Sequence, residues 1–152
     1  MRQWDQIKLN EICEFKYGKM PSEKIRADSG FPVFSGYRIT GYVNQYLYKE
    51  PMLVIVARGV GGTGDVKISP EKSWITNLSI VLDVNKKKAD IYFLKNFLAL
   101  SSLKERLDSG TAQSQITIDS LSKLKISLPP LATQKKISKI IYYYNDLIVN
   151  NI

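Results

Sequence analysis

Residues 52–70 read MLVIVARGVGGTGDVKISP, and the way this stretch folds decides the architecture. Met52 to Ala57 is apolar without a break, so it reads as a strand buried on both faces. Gly59 to Gly64 follows as a glycine-rich turn. Gly59-Val60-Gly61-Gly62-Thr63-Gly64 matches the dinucleotide pattern G-x-G-x-x-G, and Asp83 lies at about the downstream distance that pattern asks of an acidic residue. The chemistry of that pattern, however, needs a helix whose N-terminus faces a pyrophosphate. Here the chain goes on as Asp65-Val66-Lys67-Ile68-Ser69, an alternating strand stopped by Pro70. The stretch is strand, turn and strand. A P-loop fails too, because Asp65 and Val66 stand where Lys and Ser or Thr are required.

Outward from this hairpin the chain alternates short strands and short helices. Trp4 to Leu9 reads as a strand, Asn10 to Glu14 as one helical turn capped by Asn10, and Phe15 to Gly18 as extended. Lys19 to Gly30 is loop-like, and Phe31 to Tyr48 is aromatic and β-branched with turns at Gly36 and Gly41. Trp74 to Leu82 reads as one strand, with Leu78, Ile80 and Leu82 facing a core. Lys86-Lys87-Lys88 reads as a solvated turn, with phosphate contact the lesser reading. Asp90 caps a helix from Ile91 to about Leu107, with Phe93, Leu94, Phe97, Leu98 and Leu100 apolar, Ser101-Ser102 able to divide it, and Gly110 beyond its end. Thr111 to Ile116 is loop, Thr117 caps a short turn through Leu121, and Lys123 to Leu128 alternates strictly until Pro129-Pro130 ends it.

The last segment changes character. From about Ala132 or Thr133 to Ile152 the period is helical, with Ile137, Ile140, Ile141, Tyr144, Leu147, Ile148 and Ile152 on one side at nearly coiled-coil spacing. Some twenty residues make a helix about 30 Å long, and alone it would be marginal. The expectation is an arm that needs a partner helix; the competing reading packs it on its own domain. The fold class is therefore α/β, a compact mixed-sheet domain over residues 1–130 followed by a coiled-coil-type helix over 131–152.

The 152 residues contain 22 Lys and Arg, 14 Asp and Glu, one Cys and no His. Without His, neither a Ser-His-Asp nor a Cys-His catalytic group can be built. Cys13 alone makes no zinc site, forms no internal disulfide, and suits a reducing cytoplasm; its position between Ile12 and Phe15 reads as buried and apolar. No apolar run approaches the roughly 20 residues of a membrane helix, and Met1 to Asn10 lacks a signal-peptide core. The net charge of +8 is spread along the chain: residues 1–110 carry 17 basic and 12 acidic groups, and residues 111–152 carry 5 and 2. A spread positive field attracts polyanions, nucleic acid first.

Two chemical motifs stand beside this. Asp5, Glu14 and Lys16 resemble the acidic pair plus Lys of Mg²⁺-dependent nucleases. Leu128-Pro129-Pro130-Leu131 has the double proline of an amino-methyltransferase loop but Leu at both flanks, leaving nothing to bind a target amine. The remaining polar loops suit DNA reading: Lys16 to Lys24, Ser35 to Arg38, Arg58 with the glycine turn, and Gly110 to Gln115. Arg reaches guanine edges, Gln reaches adenine, and glycines let backbone N–H groups approach phosphate. The candidate DNA contacts are Lys19, Tyr37, Arg38, Arg58, Thr63, Gln113 and Gln115. A general basic RNA or DNA binder is the third reading.

Ser109 to Ile116, then Leu121 to Leu131, then Gln134-Lys135-Lys136-Ile137 resemble the target recognition domain of type I restriction–modification specificity subunits. Trp4 with Lys8-Leu9-Asn10-Glu11-Ile12, Leu53 to Gly59 with Gly64, and Thr76-Asn77-Leu78-Ser79 are similar to the front half of that family. The resemblance implies sequence-specific duplex DNA binding by a non-catalytic (half-)subunit with no cofactor of its own. It also implies docking to modification subunits, which use S-adenosylmethionine, and restriction subunits, which use ATP and Mg²⁺. Family members usually carry two recognition domains, whereas this chain reads as one, a half-subunit or a fragment. Thr133 stands where an acidic residue usually precedes the Gln, which removes a charge suited to the helix dipole.

Overall fold

The computed structural model describes residues 3–59, 61–110 and 112–151. Val60, Thr111 and Ile152, named above in the turn, the loop and the arm, lie outside the described residues. In chain order the elements are β1 (Asp5–Lys8), β2 (Cys13–Tyr17), β3 (Arg26–Ala27), β4 (Phe31–Phe34), β5 (Ile39–Val43), β6 (Leu53–Val56), β7 (Val66–Ile68), β8 (Trp74–Ile75) and β9 (Ser79–Val84). Then come α1 (Ile91–Ala99), α2 (Leu103–Leu107), α3 (Ile118–Ser122), β10 (Lys125–Leu128) and α4 (Leu131–Asn150). Among the described residues the strands form three sheets, ordered β2-β9-β6-β7, β3-β5-β4-β8 and β1-β10.

β6 is the central constraint. All four of its residues are fully buried, as expected for a strand covered on both faces. Leu53 and Ile55 join Ile80, Leu82, Phe93, Leu94, Leu98, Ile116 and Leu121 in a core roofed by helices. Val54 points the other way, to Val81, Phe34 and Ile75. The four-stranded sheet is thus a middle layer, with helices on one side and the β4–β8 sheet on the other. β6 pairs antiparallel with β7 and with β9, Leu53 opposite Ile68 and Leu82, Ile55 opposite Val66 and Ile80. The glycine stretch is therefore a hairpin turn with no helix behind it. Each fully buried Leu or Ile contributes about 1.5–3 kcal/mol of transfer free energy.

The strand expected over Trp74 to Leu82 is cut in two. β8 lies parallel to β4 in one sheet, and β9 lies between β2 and β6 in another. The crossing is held by Gly18, whose N–H donates to Ser79 O at 2.9 Å while Lys19 N–H donates to Ile75 O at 2.9 Å. A Cβ at Gly18 would run into the Thr76 carbonyl. Residues 79–82 are buried on both faces, so the alternation of Leu78, Ile80 and Leu82 understated the burial of Val81. The helical turn near residue 10 spans Leu9–Glu11, and the Lys8 N–H, not Asn10, is capped, by Glu11 Oε2 at 2.7 Å.

Several local expectations hold. Asp90 Oδ2 accepts from Phe93 N–H at 2.9 Å. The helix expected to Leu107 breaks at Ser101-Ser102, where Ser101 Oγ donates to Phe97 O at 2.7 Å and Ser102 has φ +51°; such back-bonding competes with helix continuation. Thr117 Oγ1 accepts from Ser120 N–H at 3.1 Å to start α3. β10 pairs antiparallel with β1, Asp5 opposite Leu128, so the first strand is closed by one that follows it 120 residues later.

α4 leaves this junction with its root clamped. Gln134 is completely buried. Its Oε1 accepts from Asp90 N–H at 2.8 Å, and its Nε2 donates to Pro129 O at 2.8 Å and Lys88 O at 3.2 Å. Ser138 Oγ donates to Asp90 Oδ2 at 2.6 Å, and Ile137 packs on the helical core. The expected seam is thus divided: Ile137 serves the domain and Ile141 is half-buried, while Ile140, Tyr144, Leu147 and Ile148 are all more than half exposed. Gln134→Leu would leave an N–H and two carbonyls without their partner, each costing about 1–3 kcal/mol when buried. We expect a loss of about 2 kcal/mol or more in urea unfolding; a variant as stable as the parent would show that the clamp is dispensable.

Candidate nucleic-acid interface

β2 and β6 end, and β7 and β9 begin, at one end of the four-stranded sheet. The connections at that end carry the candidate contacts. Lys19 follows β2 and is exposed; its carbonyl accepts from Trp74 Nε1 at 2.6 Å. Arg58 and Thr63 flank the turn after β6. Tyr37 and Arg38 sit on the β4–β5 connection, docked by Ser79 Oγ donating to Ser35 O at 3.0 Å. The loop before α3 returns alongside β6, with Ile116 N–H donating to Ala57 O at 2.8 Å and a bridge between Arg58 and Gln115. The opposite end of the sheet, after β9, leads through Lys88 and Ala89 to the clamped root of α4.

Tyr37, Arg58, Thr63 and Gln115 come together. Tyr37 Oη donates to Arg58 O at 3.4 Å, and its ring lies so close to Gly59 and Gly62 that a Cβ at either would overlap it. Partial burial, then the nearby Asp65 charge, holds its phenol above the usual tyrosine value, so it stays a donor at neutral pH. Arg58 is exposed, and Nη2 donates to Asn77 O at 3.3 Å, which ties it to the β8–β9 crossing. Gln113 is exposed and Gln115 half-buried on the adjoining loop.

Thr63 differs from the others. It is 4% exposed, and its one hydroxyl proton is shared between Gly59 O at 3.2 Å and Ser114 O at 3.4 Å. Its hydrogen-bonding capacity is directed inward, where it joins the glycine turn to the Gln113–Gln115 loop. Sequence reading also passed over Asp108, which accepts three hydrogen bonds from that loop. The signal was present in Asp108-Ser109-Gly110, because an Asp two residues before Gly favours a turn closed by its own side chain.

The nuclease reading finds no support. Asp5 lies on the β1–β10 sheet in a cleft with Ile7 and Leu128, whereas Glu14 lies on β2 opposite Asp83, in clefts that do not include Asp5. Among the described residues no three acidic, Cys or His side chains are grouped to hold a metal ion. Burial, then the Asp83 charge, pushes the Cys13 thiol up to about 12, so it remains protonated. No helix among the described residues is long and apolar enough to cross a membrane.

The domain thus gathers basic and amide-bearing loops at one end of the β6 sheet and roots a long helix beyond the other. The chain belongs to the type I restriction modification DNA specificity domain family, whose model matches residues 1–152. It is 32% identical over 158 residues to a protein of Methanocaldococcus jannaschii named as the MjaX type I restriction enzyme specificity subunit, covering 95% of this chain and 37% of that protein. It is 28% identical to one of Mycoplasma pneumoniae named as a type I specificity subunit, covering 95% of this chain and 49% of that protein. The chain therefore spans less than half of each relative. The fold is similar to the type I restriction-modification S subunit from M. genitalium, with TM-score 0.78 at 19% identity over 97% of this chain and 40% of that one. The HsdS subunit from Thermoanaerobacter tengcongensis gives 0.72 at 20% identity over 97% and 39%.

The Tyr37 contact gives a clean test of the face. Gly62→Ala should destabilise by about 1 kcal/mol or more through overpacking against the ring, and the same change in a Tyr37→Ala background should be nearly neutral. A thermal double-mutant cycle measures the difference, and strict additivity would mean that ring and turn are not in contact.

Proposed function

We propose that this chain reads one part of a duplex DNA sequence as a specificity (half-)subunit of a type I restriction–modification system, residues 1–130 forming the recognition unit and 131–152 the arm. The observation that carries the reading is the convergence of Tyr37, Arg58 and Gln115 at one sheet end, in a chain of the DNA specificity family. Arg58 and Arg38 approach bases or phosphates, Gln113 and Gln115 base edges, Lys19 a phosphate, and Tyr37 stacks or packs beside a sugar. Thr63 supports from within.

Catalysis is left to partners: modification subunits with S-adenosylmethionine, and restriction subunits with ATP and Mg²⁺, acting in the cytoplasm. The exposed part of the seam, Ile140, Tyr144, Leu147 and Ile148, supports pairing of the arm with a partner helix. If the pairing is antiparallel with a second copy, two domains face DNA with two-fold symmetry and the target is an interrupted palindrome.

Selection of bound sites from random duplexes, with and without a modification subunit, tests the reading. Enrichment of a defined sequence is expected. Competition by unrelated DNA as effective as by any selected site would leave only a general basic binder. Affinity should fall steeply with salt, and Arg58→Ala should weaken binding by about 1–3 kcal/mol, relaxing choice at one position if it contacts a base. For the arm, Leu147→Asp in a dimeric parent should lower the sedimenting mass. An unchanged mass would remove the arm as the dimer contact.

A further inference from the structure

The loop from Asp108 to Ile116 carries both candidate glutamines, yet among its described residues only Ile116 is buried. One carboxylate organises it. Asp108 Oδ2 accepts from Ser114 Oγ at 2.6 Å, and Oδ1 accepts from the N–H of Gly110 at 3.2 Å and of Gln115 at 3.3 Å. Gln115 O in turn accepts from Ser109 N–H at 3.1 Å, and Gly110, at φ +68°, supplies the reversal. These hydrogen bonds, Ser114's first, hold the Asp108 carboxyl below its ordinary value. The residues held are those that meet the neighbouring turn: Ser114 O receives the Thr63 hydroxyl, and Gln115 bridges to Arg58.

A negative charge beside a surface for a polyanion opposes binding in general. Its engagement with three donors of the reading loop gives it another use. We propose that Asp108 is a positioning residue for sequence readout: without touching DNA, it fixes Ser114 and Gln115 so that Gln113 and Gln115 meet base edges in one register. The inference rests on the DNA-reading function proposed above.

The test uses the whole chain, alone and with a modification subunit, as parent, Asp108→Ala and Ser114→Ala. A parent that enriches no sequence removes the DNA-reading function itself. With a selective parent, Asp108→Ala should lose about tenfold or more in affinity for the selected site. Affinity for an unrelated duplex should hold or rise, because a repelling charge is gone. Ser114→Ala should shift the same ratio by less. In the unbound chain, amide exchange at Gly110 and Gln115 should accelerate in Asp108→Ala. Parental protection there should persist above the ordinary aspartate value of 3.8 and fail as acid protonates the carboxyl below it. Equal losses on both duplexes by an Asp108→Ala chain whose unfolding transition matches the parent's, or undiminished discrimination by that variant, overturns the assignment.

Discussion

Burial of β6 on both faces is the constraint on which the rest depends. Leu53, Val54, Ile55 and Val56 have no surface left to water, so the sheet containing them must be covered twice. α1 and α3 cover one side and the β4–β8 sheet the other. Once the sheet is a middle layer, its side chains are committed to packing. Polar variety is left to the connections at its ends, which remain open to solvent. That division, with a packed frame bearing loops that can change independently, suits the sequence-reading role proposed above.

The candidate face is shaped largely by polar groups that do not themselves face outward. Thr63 joins the glycine turn to the Ser114 loop, and Ser79 ties the β4–β5 connection to the sheet. The Asn77 carbonyl receives the Arg58 guanidinium. The lack of side chains at Gly59 and Gly62 lets the Tyr37 ring lie on the turn. Such internal bonds restrict the loops before any ligand arrives, which lowers the ordering cost of association.

The arm is held differently at its two ends. Its root is fixed by the three hydrogen bonds of Gln134 and by Ser138 on Asp90. An amide inside a low-dielectric junction is costly if any partner is lost, so it favours one orientation of helix against domain. Beyond Ile141 the described helix residues are all exposed, large apolar side chains among them. A rigid root and an uncovered end fit the pairing of the arm proposed above.

The sequence alone determined the local elements, because the signals were local. Uniform apolarity marked β6, Asp65 to Pro70 excluded a nucleotide turn, Asp90 and Thr117 marked helix starts, Ser101-Ser102 marked a break, and Pro129-Pro130 marked the root of α4. Tertiary structure alone decided which elements share a sheet. The alternation in Trp74 to Leu82 runs through the crossing without a mark, because period-two patterning records that a face is covered and not what covers it. The same holds for the site. Tyr37, Arg58, Thr63 and Gln115 are spread over nearly 80 positions, and only the layer packing joins their loops. The inward turn of Thr63 and the clamp of Gln134 follow from partners 51 and 44–46 residues away, and no local pattern encodes a hydrogen bond whose other half lies that far along the chain.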